Sequence, residues 1–389
     1  MKLEKNFLLY FLPTVGISIF LGYVLSSTSI HLFASRNPKS NLASVSQTST
    51  STLATSGINL SKSTRKTLAS QPLSSPILIQ SVAQPILSSQ VVTPAAVATQ
   101  TAPSIPTLVD FEQINATARK SLVNIICTTK VFGPLDPITA TGVIIDEKGT
   151  ILTNAHVAEY LLLQNFQTEN FVTCTIRTGS PARDRYHAEL LYISPTWVQN
   201  NKSLLTQTNP QGTGENDFAL LRITDSINGS PLPSFSFIPP DVRENVTTGE
   251  QVNLISYPAG FLGSESILQN LDLTSALTTV QHVYTFTTTS VDLISVGGTV
   301  VSQKGASGGA VVDRNGTLIG LISTESDAAK TADRDLRAIT LAHINRTLQT
   351  EIGQSLALFL SQDLAASAKN FQTNTAPGLS KLIEDELLK

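Results

Sequence analysis

From about residue 108 onward the chain is a succession of short apolar runs rich in Val, Ile and Thr, each broken by Gly, Pro, Asn or Asp. SLVNIICTTKVF, TGVIIDEKGTILTNAHV, DFALLRIT, EQVNLISYPAG and GGAVVDRNGTLIGLIST carry the pattern. Branched side chains suit a pleated sheet better than a helix, and DEKG and DRNG between apolar runs are good turns. About 240 residues of this kind predict an all-β region, either a barrel or sandwich or a pair of barrels. Helical spacing enters clearly only near the end, where Leu341, Ile344, Leu348 and Ile352 fall on one face. A second apolar helix is expected over 354–368.

A hydrophobic share of 41% in 389 residues is ample for a folded core. The charged share is only 14%, the formal net charge is −3, and Lys and Arg are scattered. That distribution argues against nucleic acid as a partner. Cys127 and Cys174 lack the spacing of a zinc or redox site. Outside the cytoplasm they could form one bridge closing a loop around His156; the other reading is a pair of buried thiols.

Residues 7–25, FLLYFLPTVGISIFLGYVL, run without a charge and follow Lys2 and Lys5. The length suits a membrane-spanning helix of about 20 residues and exceeds an ordinary signal-peptide core. The expectation is a membrane anchor over 1–34, with the lysines on the cytoplasmic side and the rest exported, periplasmic or at the cell surface. Residues 35–107 are dominated by Ser, Thr, Ala, Gln and Pro. Such a stretch buries too little apolar area to offset the entropy of ordering, and is expected to be a disordered linker.

Three segments carry the residue types that nucleophilic acyl transfer needs: a hydroxyl, a base, a carboxylate to orient the base, and donors for an oxyanion. His156 lies in TNAHV, just after the apolar run GTIL. Asp217 precedes an apolar strand in ENDFALLRI. Ser307 lies in KGASGGAVVD, where glycines let the backbone turn sharply and let the Gly305 and Ser307 amides converge on one point. Each has a plainer reading alone: a core histidine, a turn carboxylate, a glycine-rich hairpin.

TNAHV, DFALL and GASGG, in the chain order His, Asp, Ser, resemble the three signatures of trypsin-like (chymotrypsin-fold) serine proteases. TGVIIDEKGTILTNAHV, GEQVNLISYPAG, DRNGTLIGLIST and RAITLAHINRTL are further similar to the bacterial HtrA (Deg) type. The resemblance implies two six-stranded β-barrels with C-terminal helices, a protease domain over 108–353 and a helical tail over 354–389. It implies His156 as general base, Asp217 as its orienting carboxylate, Ser307 as nucleophile, and Gly305 and Ser307 as oxyanion donors. It puts the pocket floor at 301–304 and the wall near 321–324, so that Val301, Ser323 and Thr324 would bind substrate. With no carboxylate there, a small or medium apolar side chain is expected before the scissile bond.

Ala306 stands where digestive relatives carry the aspartate that pairs with a newly cut N-terminus, so that activation route is not expected. The residues after Ile352 are too few for a PDZ domain. No cofactor and no metal are implied, and the partners expected are protein or peptide substrates. The expected function is serine endopeptidase activity in extracytoplasmic quality control or regulated proteolysis. The alternative is a catalytically silent, membrane-tethered protein-binding module of the same fold. An esterase is a weaker third reading, because a G-x-S-x-G elbow needs a helix after its serine and nothing helical follows Ser307.

Overall fold

The computed structural model describes residues 110–389 apart from 131–134, 208, 209, 211, 287, 288, 327 and 329. The expected anchor and linker lie outside these residues. Among the described residues no helix is long and apolar enough to cross a membrane.

A short helix α1 (Phe111–Ala118) starts on Asp110, whose carboxylate accepts from the amides of Glu112 and Gln113. Strands β1 (Leu122–Thr129), β2 (Ile138–Ile144) and β3 (Thr150–Thr153) follow, then helix α2 (Ala155–Leu162). Next come β4 (Val172–Thr178), β5 (Arg183–Ile193), helix α3 (Pro195–Asn201) and β6 (Ala219–Ser226). These six strands form a closed barrel in the order β1-β2-β3-β6-β5-β4, with antiparallel pairing. Inside it Val123, Ile125, Ile144, Ile151, Leu190, Leu221 and Ile223 are fully or almost fully buried. Each such side chain contributes roughly 1.5–3 kcal/mol of burial.

The second half consists of β7 (Gln251–Ser256), helix α4 (Ser264–Gln269), β8 (Thr274–Thr279), β9 (His282–Tyr284), β10 (Leu293–Ser295), β11 (Ala310–Val312), β12 (Leu318–Glu325) and β13 (Leu336–Thr340). Its sheet order is β8-β7-β11-β12-β13-β10-β9. The two edge strands are consecutive in the chain, separated only by Val280 and Gln281. The Val280 amide donates to Glu250 and the Gln281 amide to Ser295, 2.9 and 2.8 Å. The chain therefore bends from pairing with β7 to pairing with β10, which rolls the sheet over its own core of Val252, Leu254, Ile294, Val296, Val311 and Ile322. Counting β8 and β9 as one bent strand gives the six expected from the sequence.

Helix α5 (Leu341–Ile352) begins on Thr340, whose hydroxyl accepts from the His343 amide, and ends at Gly353 in the left-handed conformation. Leu341, Ile344 and Leu348 are buried as the spacing predicts, but Ile352 is partly exposed because the chain turns away at Gly353. The single helix expected over 354–368 is two: α6 (Leu356–Ser361) and α7 (Leu364–Asn374). Asp363 divides them, its carboxylate accepting from the Ala365 and Ala366 amides and so starting a new helix. A last helix, α8 (Ala376–Leu387), begins with Pro377 in its first turn.

The tail is part of the first core. Phe359, Phe371, Leu379 and Ile383 join the apolar cluster of the closed barrel. The Gln372 amide side chain donates to Leu190 O, and the Ser380 hydroxyl to Leu162 O at the end of α2. Cys127 and Cys174 face each other directly on β1 and β4 and are joined in a disulfide.

Candidate active site

β3 ends at Thr153, and the chain turns at Asn154 into α2, so the first turn of that helix presents His156 at the end of the barrel. Asn154 occupies the N-cap position without capping. Its side-chain amide instead donates to the backbone oxygen of Asp217, 2.9 Å away. Asp217 enters β6 beside it and is 4% exposed. One carboxylate oxygen accepts from the His156 amide at 3.0 Å, and the other meets His156 Nδ1 at 2.8 Å. A carboxylate oxygen only accepts, so Nδ1 carries the proton and Nε2 keeps the lone pair. The imidazole side chain is 36% exposed, so Nε2 belongs to a group that can meet a substrate.

Burial is the largest influence on both groups and opposes charge on each. It is outweighed in both. The Asp217 charge and hydrogen bond hold the His156 pKa above its ordinary value. His156 and the donated bonds, including one from the Ser323 hydroxyl at 2.8 Å, hold the Asp217 carboxyl below the usual range.

Ser307 follows the turn Val301–Ala306 and is half-buried. Its carbonyl accepts from Thr141 N at 2.8 Å, and the Thr141 carbonyl accepts from Thr153 Oγ1 at 2.8 Å, three residues before His156. On the other side Gly308 N donates to Ile322 O, and Ser323, the next residue, is the one bonded to Asp217. Ser307 is thus tied by short bonded paths to both members of the His–Asp pair. Among the described residues its hydroxyl has no hydrogen bond, to His156 or to any other group. In unliganded sites this last contact is often long and tightens in the substrate complex.

The loop that presents Ser307 is held peptide by peptide. Ala259 N donates to Lys304 O at 2.7 Å, and the buried Thr141 hydroxyl donates to Gly305 O at 2.8 Å while accepting from Tyr257 N. A trans peptide directs its N–H opposite to its carbonyl. The pinned Lys304 carbonyl therefore turns the Gly305 N–H away from Ala259. Among the described residues neither the Gly305 nor the Ser307 amide is bonded to an acceptor, which leaves two donors for an oxyanion. Gly308 has no alternative: at φ +80° a Cβ would lie 1.9 Å from Thr141 O.

Of the residues expected to bind substrate, Thr324 is half-buried beside Gly214 on β12. The Ser323 hydroxyl is engaged by Asp217. Val301 is fully buried within the second core and has no exposed surface. Sequence reasoning missed Thr141 and Asn154. TNAHV held the signal for Asn154, an N-cap residue type directly before a short helix, but a threonine inside a β-strand carries none. It also passed over Glu159, one turn after His156. Glu159 is buried, one of its carboxyl oxygens has no partner among the described residues, and burial together with the Asp217 charge pushes its carboxyl well above the usual range.

Residues 140–321 match the model of the trypsin-like peptidase domain. No curated protein matches the chain. Among solved structures it is similar to the HtrA-type protease AlgW with tripeptide, at 18% identity over 63% of this chain and 65% of that one, with a TM-score of 0.41. It is similar to the serine endoprotease from Yersinia pestis, at 19% identity over 64% and 69%, TM-score 0.40. A third is the Rv3671c protease from M. tuberculosis in its active form, at 17% identity over 68% and 96%, TM-score 0.38. The chain thus spans just under two thirds of the length of AlgW.

Proposed function

We propose that this chain is a trypsin-like serine endopeptidase that cleaves protein substrates through His156, Asp217 and Ser307. The observation that supports the reading is the double hold of Asp217 on His156, with Ser307 tied to that pair by short bonded paths on a loop whose Gly305 and Ser307 amides are unengaged among the described residues.

The chemistry follows from those positions. Nε2 of His156 takes the Ser307 proton as Oγ attacks the carbonyl carbon of the scissile bond. The oxygen of the tetrahedral intermediate is received by the Gly305 and Ser307 amides. Imidazolium, stabilised by Asp217, returns the proton to the leaving amine. Water then repeats the sequence on the acyl-enzyme, with His156 as base again.

The anchor over 7–25 and the linker over 35–107 give a tethered enzyme acting outside the cytoplasm, in quality control or regulated proteolysis. The Cys127–Cys174 disulfide supports that compartment, because such bonds persist where thiols are not kept reduced. A small or medium apolar side chain before the scissile bond is the preference we propose, because Gln303, Lys304 and the expected wall over 321–324 bring no carboxylate. The test is a fluorophosphonate probe on the purified protein, with mass spectrometry to locate the adduct. An adduct on Ser307 that is lost in His156→Ala supports the peptidase. A folded protein that takes no label favours the silent binding module.

A further inference from the structure

Asn216, the residue before Asp217, has a left-handed backbone at φ +58°, which costs a residue with a Cβ and is most readily adopted by Asn among non-glycines. Its side chain does not face solvent freely. Asn216 Oδ1 accepts from the Thr347 hydroxyl at 2.9 Å and contacts His343 Nε2 at 3.1 Å; both partners lie on α5, in the other half of the domain. His343 is itself fixed. Its Nδ1 meets Asp292 Oδ1 at 3.2 Å, and its ring packs edge-on against Phe286, with centroids 5.0 Å apart.

Asp292 is almost fully buried, and it also receives the Phe286 amide, the Thr285 and Ser290 hydroxyls and the Arg346 guanidinium. The charged groups around His343 are therefore Asp292, Arg346 on its own helix and Glu215 on the Asp217 loop. Asp217 is held from the opposite side by Asn154, and its amide donates to Gly214 O at 3.1 Å.

We propose that Thr347, by donating its hydroxyl to Asn216, positions the Asp217 backbone and so aligns its carboxylate with His156. The grip crosses from one half of the domain to the other. It makes α5 a support of the His–Asp pair as well as a packing element. Neither Asn216 nor Thr347 touches the reacting atoms; they are positioning residues. Their catalytic consequence rests on the peptidase reading, whereas the alignment of His156 does not.

Three variants separate the cases. Asn216→Gly keeps the left-handed backbone and removes the side chain. Thr347→Val removes one donor at constant shape, and Thr347→Ser restores it. Two quantities are read on each full-length variant: the His156 pKa by NMR titration, and the rate of fluorophosphonate labelling at Ser307. We expect the His156 pKa to fall in Asn216→Gly and Thr347→Val, because a misaligned Asp217 stabilises the imidazolium less, and to return in Thr347→Ser. We expect labelling to slow by about tenfold in Asn216→Gly, in line with the sensitivity of acid–base geometry to small displacements.

An unmoved His156 pKa in folded Thr347→Val and Asn216→Gly overturns the proposal. So does a fall that Thr347→Ser does not reverse. If Asn216→Gly fails to fold, the threonine pair decides. If wild-type protein takes no label, the peptidase reading fails, and the titration still decides whether α5 aligns Asp217.

Discussion

Asp217 holds His156 twice, through the backbone amide at 3.0 Å and through Nδ1 at 2.8 Å. The first contact fixes where α2 begins and the second fixes the ring. Neither can be lost without disturbing the other, because both oxygens belong to one buried carboxylate.

Ser307→Ala should abolish peptide turnover and fluorophosphonate labelling while leaving the unfolding midpoint unchanged, since the hydroxyl has no hydrogen bond among the described residues. The double variant with His156→Ala should be no slower than either single one, as groups that act as a unit lose their function together. Full activity in Ser307→Ala sinks the assignment.

Asp217→Asn should lower kcat by roughly 10³–10⁴, because an amide can hold the wrong imidazole tautomer. The pH dependence has a definite sign. A general base works as neutral imidazole, so kcat/KM should rise with pH through a pKa above the ordinary histidine value, and this rise should move to lower pH in Asp217→Asn. Stability follows linkage. The raised His156 pKa contributes stability that is full below its unfolded value and is lost as pH rises through the folded one. The lowered Asp217 pKa contributes stability present above its unfolded value and lost as pH falls through the folded one. Paired pH–rate and pH–denaturation curves check both signs.

Thr141→Val should reduce kcat by about tenfold with KM little changed, because the loop that aims the Gly305 amide loses its anchor and a lost oxyanion donor costs even more. Leaving Gly305 O and Tyr257 N without their buried partner should also destabilise by about 1–3 kcal/mol. Thr141→Ser, which keeps the hydroxyl, should be mild in both measurements.

Reduction of Cys127–Cys174, or replacement of both by Ala, should lower stability by roughly 4 kcal/mol on chain-entropy grounds. The bridge joins residues 47 apart in sequence, and the segment it closes contains β2, β3 and α2. Urea unfolding of oxidised and reduced protein measures the difference; equal midpoints count against the estimate.

Phe371→Ala on α7 should cost about 3 kcal/mol as a large-to-small core change. Phe371 is buried against Tyr192, ring centroids 6.4 Å apart, and Phe359 packs on the same tyrosine at 6.5 Å. Midpoint loss without slower Ser307 labelling is expected, because this contact lies where the tail packs on the outer face of the barrel.

The amino-acid sequence by itself determined the β-strand class of the segment up to β13 and the order His156, Asp217, Ser307. Local chemistry suffices for both: branched residues between turn formers make strands, and glycines around a serine make a sharp exposed turn. It also marked the apolar face of α5 as far as Leu348. It left the cysteines undecided, because pairing depends on strand register: Cys127 and Cys174 bridge because β1 and β4 set them opposite each other. It read 354–368 as one helix because apolar spacing outweighed the cap at Asp363.

The tertiary structure alone decided which polar residues serve the site. Thr141, Asn216 and Thr347 are unremarkable in sequence, and Ser323, expected at the substrate wall, serves Asp217 instead. Ser323 reaches Asp217 across 106 positions and Thr347 reaches Asn216 across 131. Hydrogen bonds of that range leave no local pattern to read. They exist only once the closed barrel and the curled sheet stand side by side and fix the direction of each buried group.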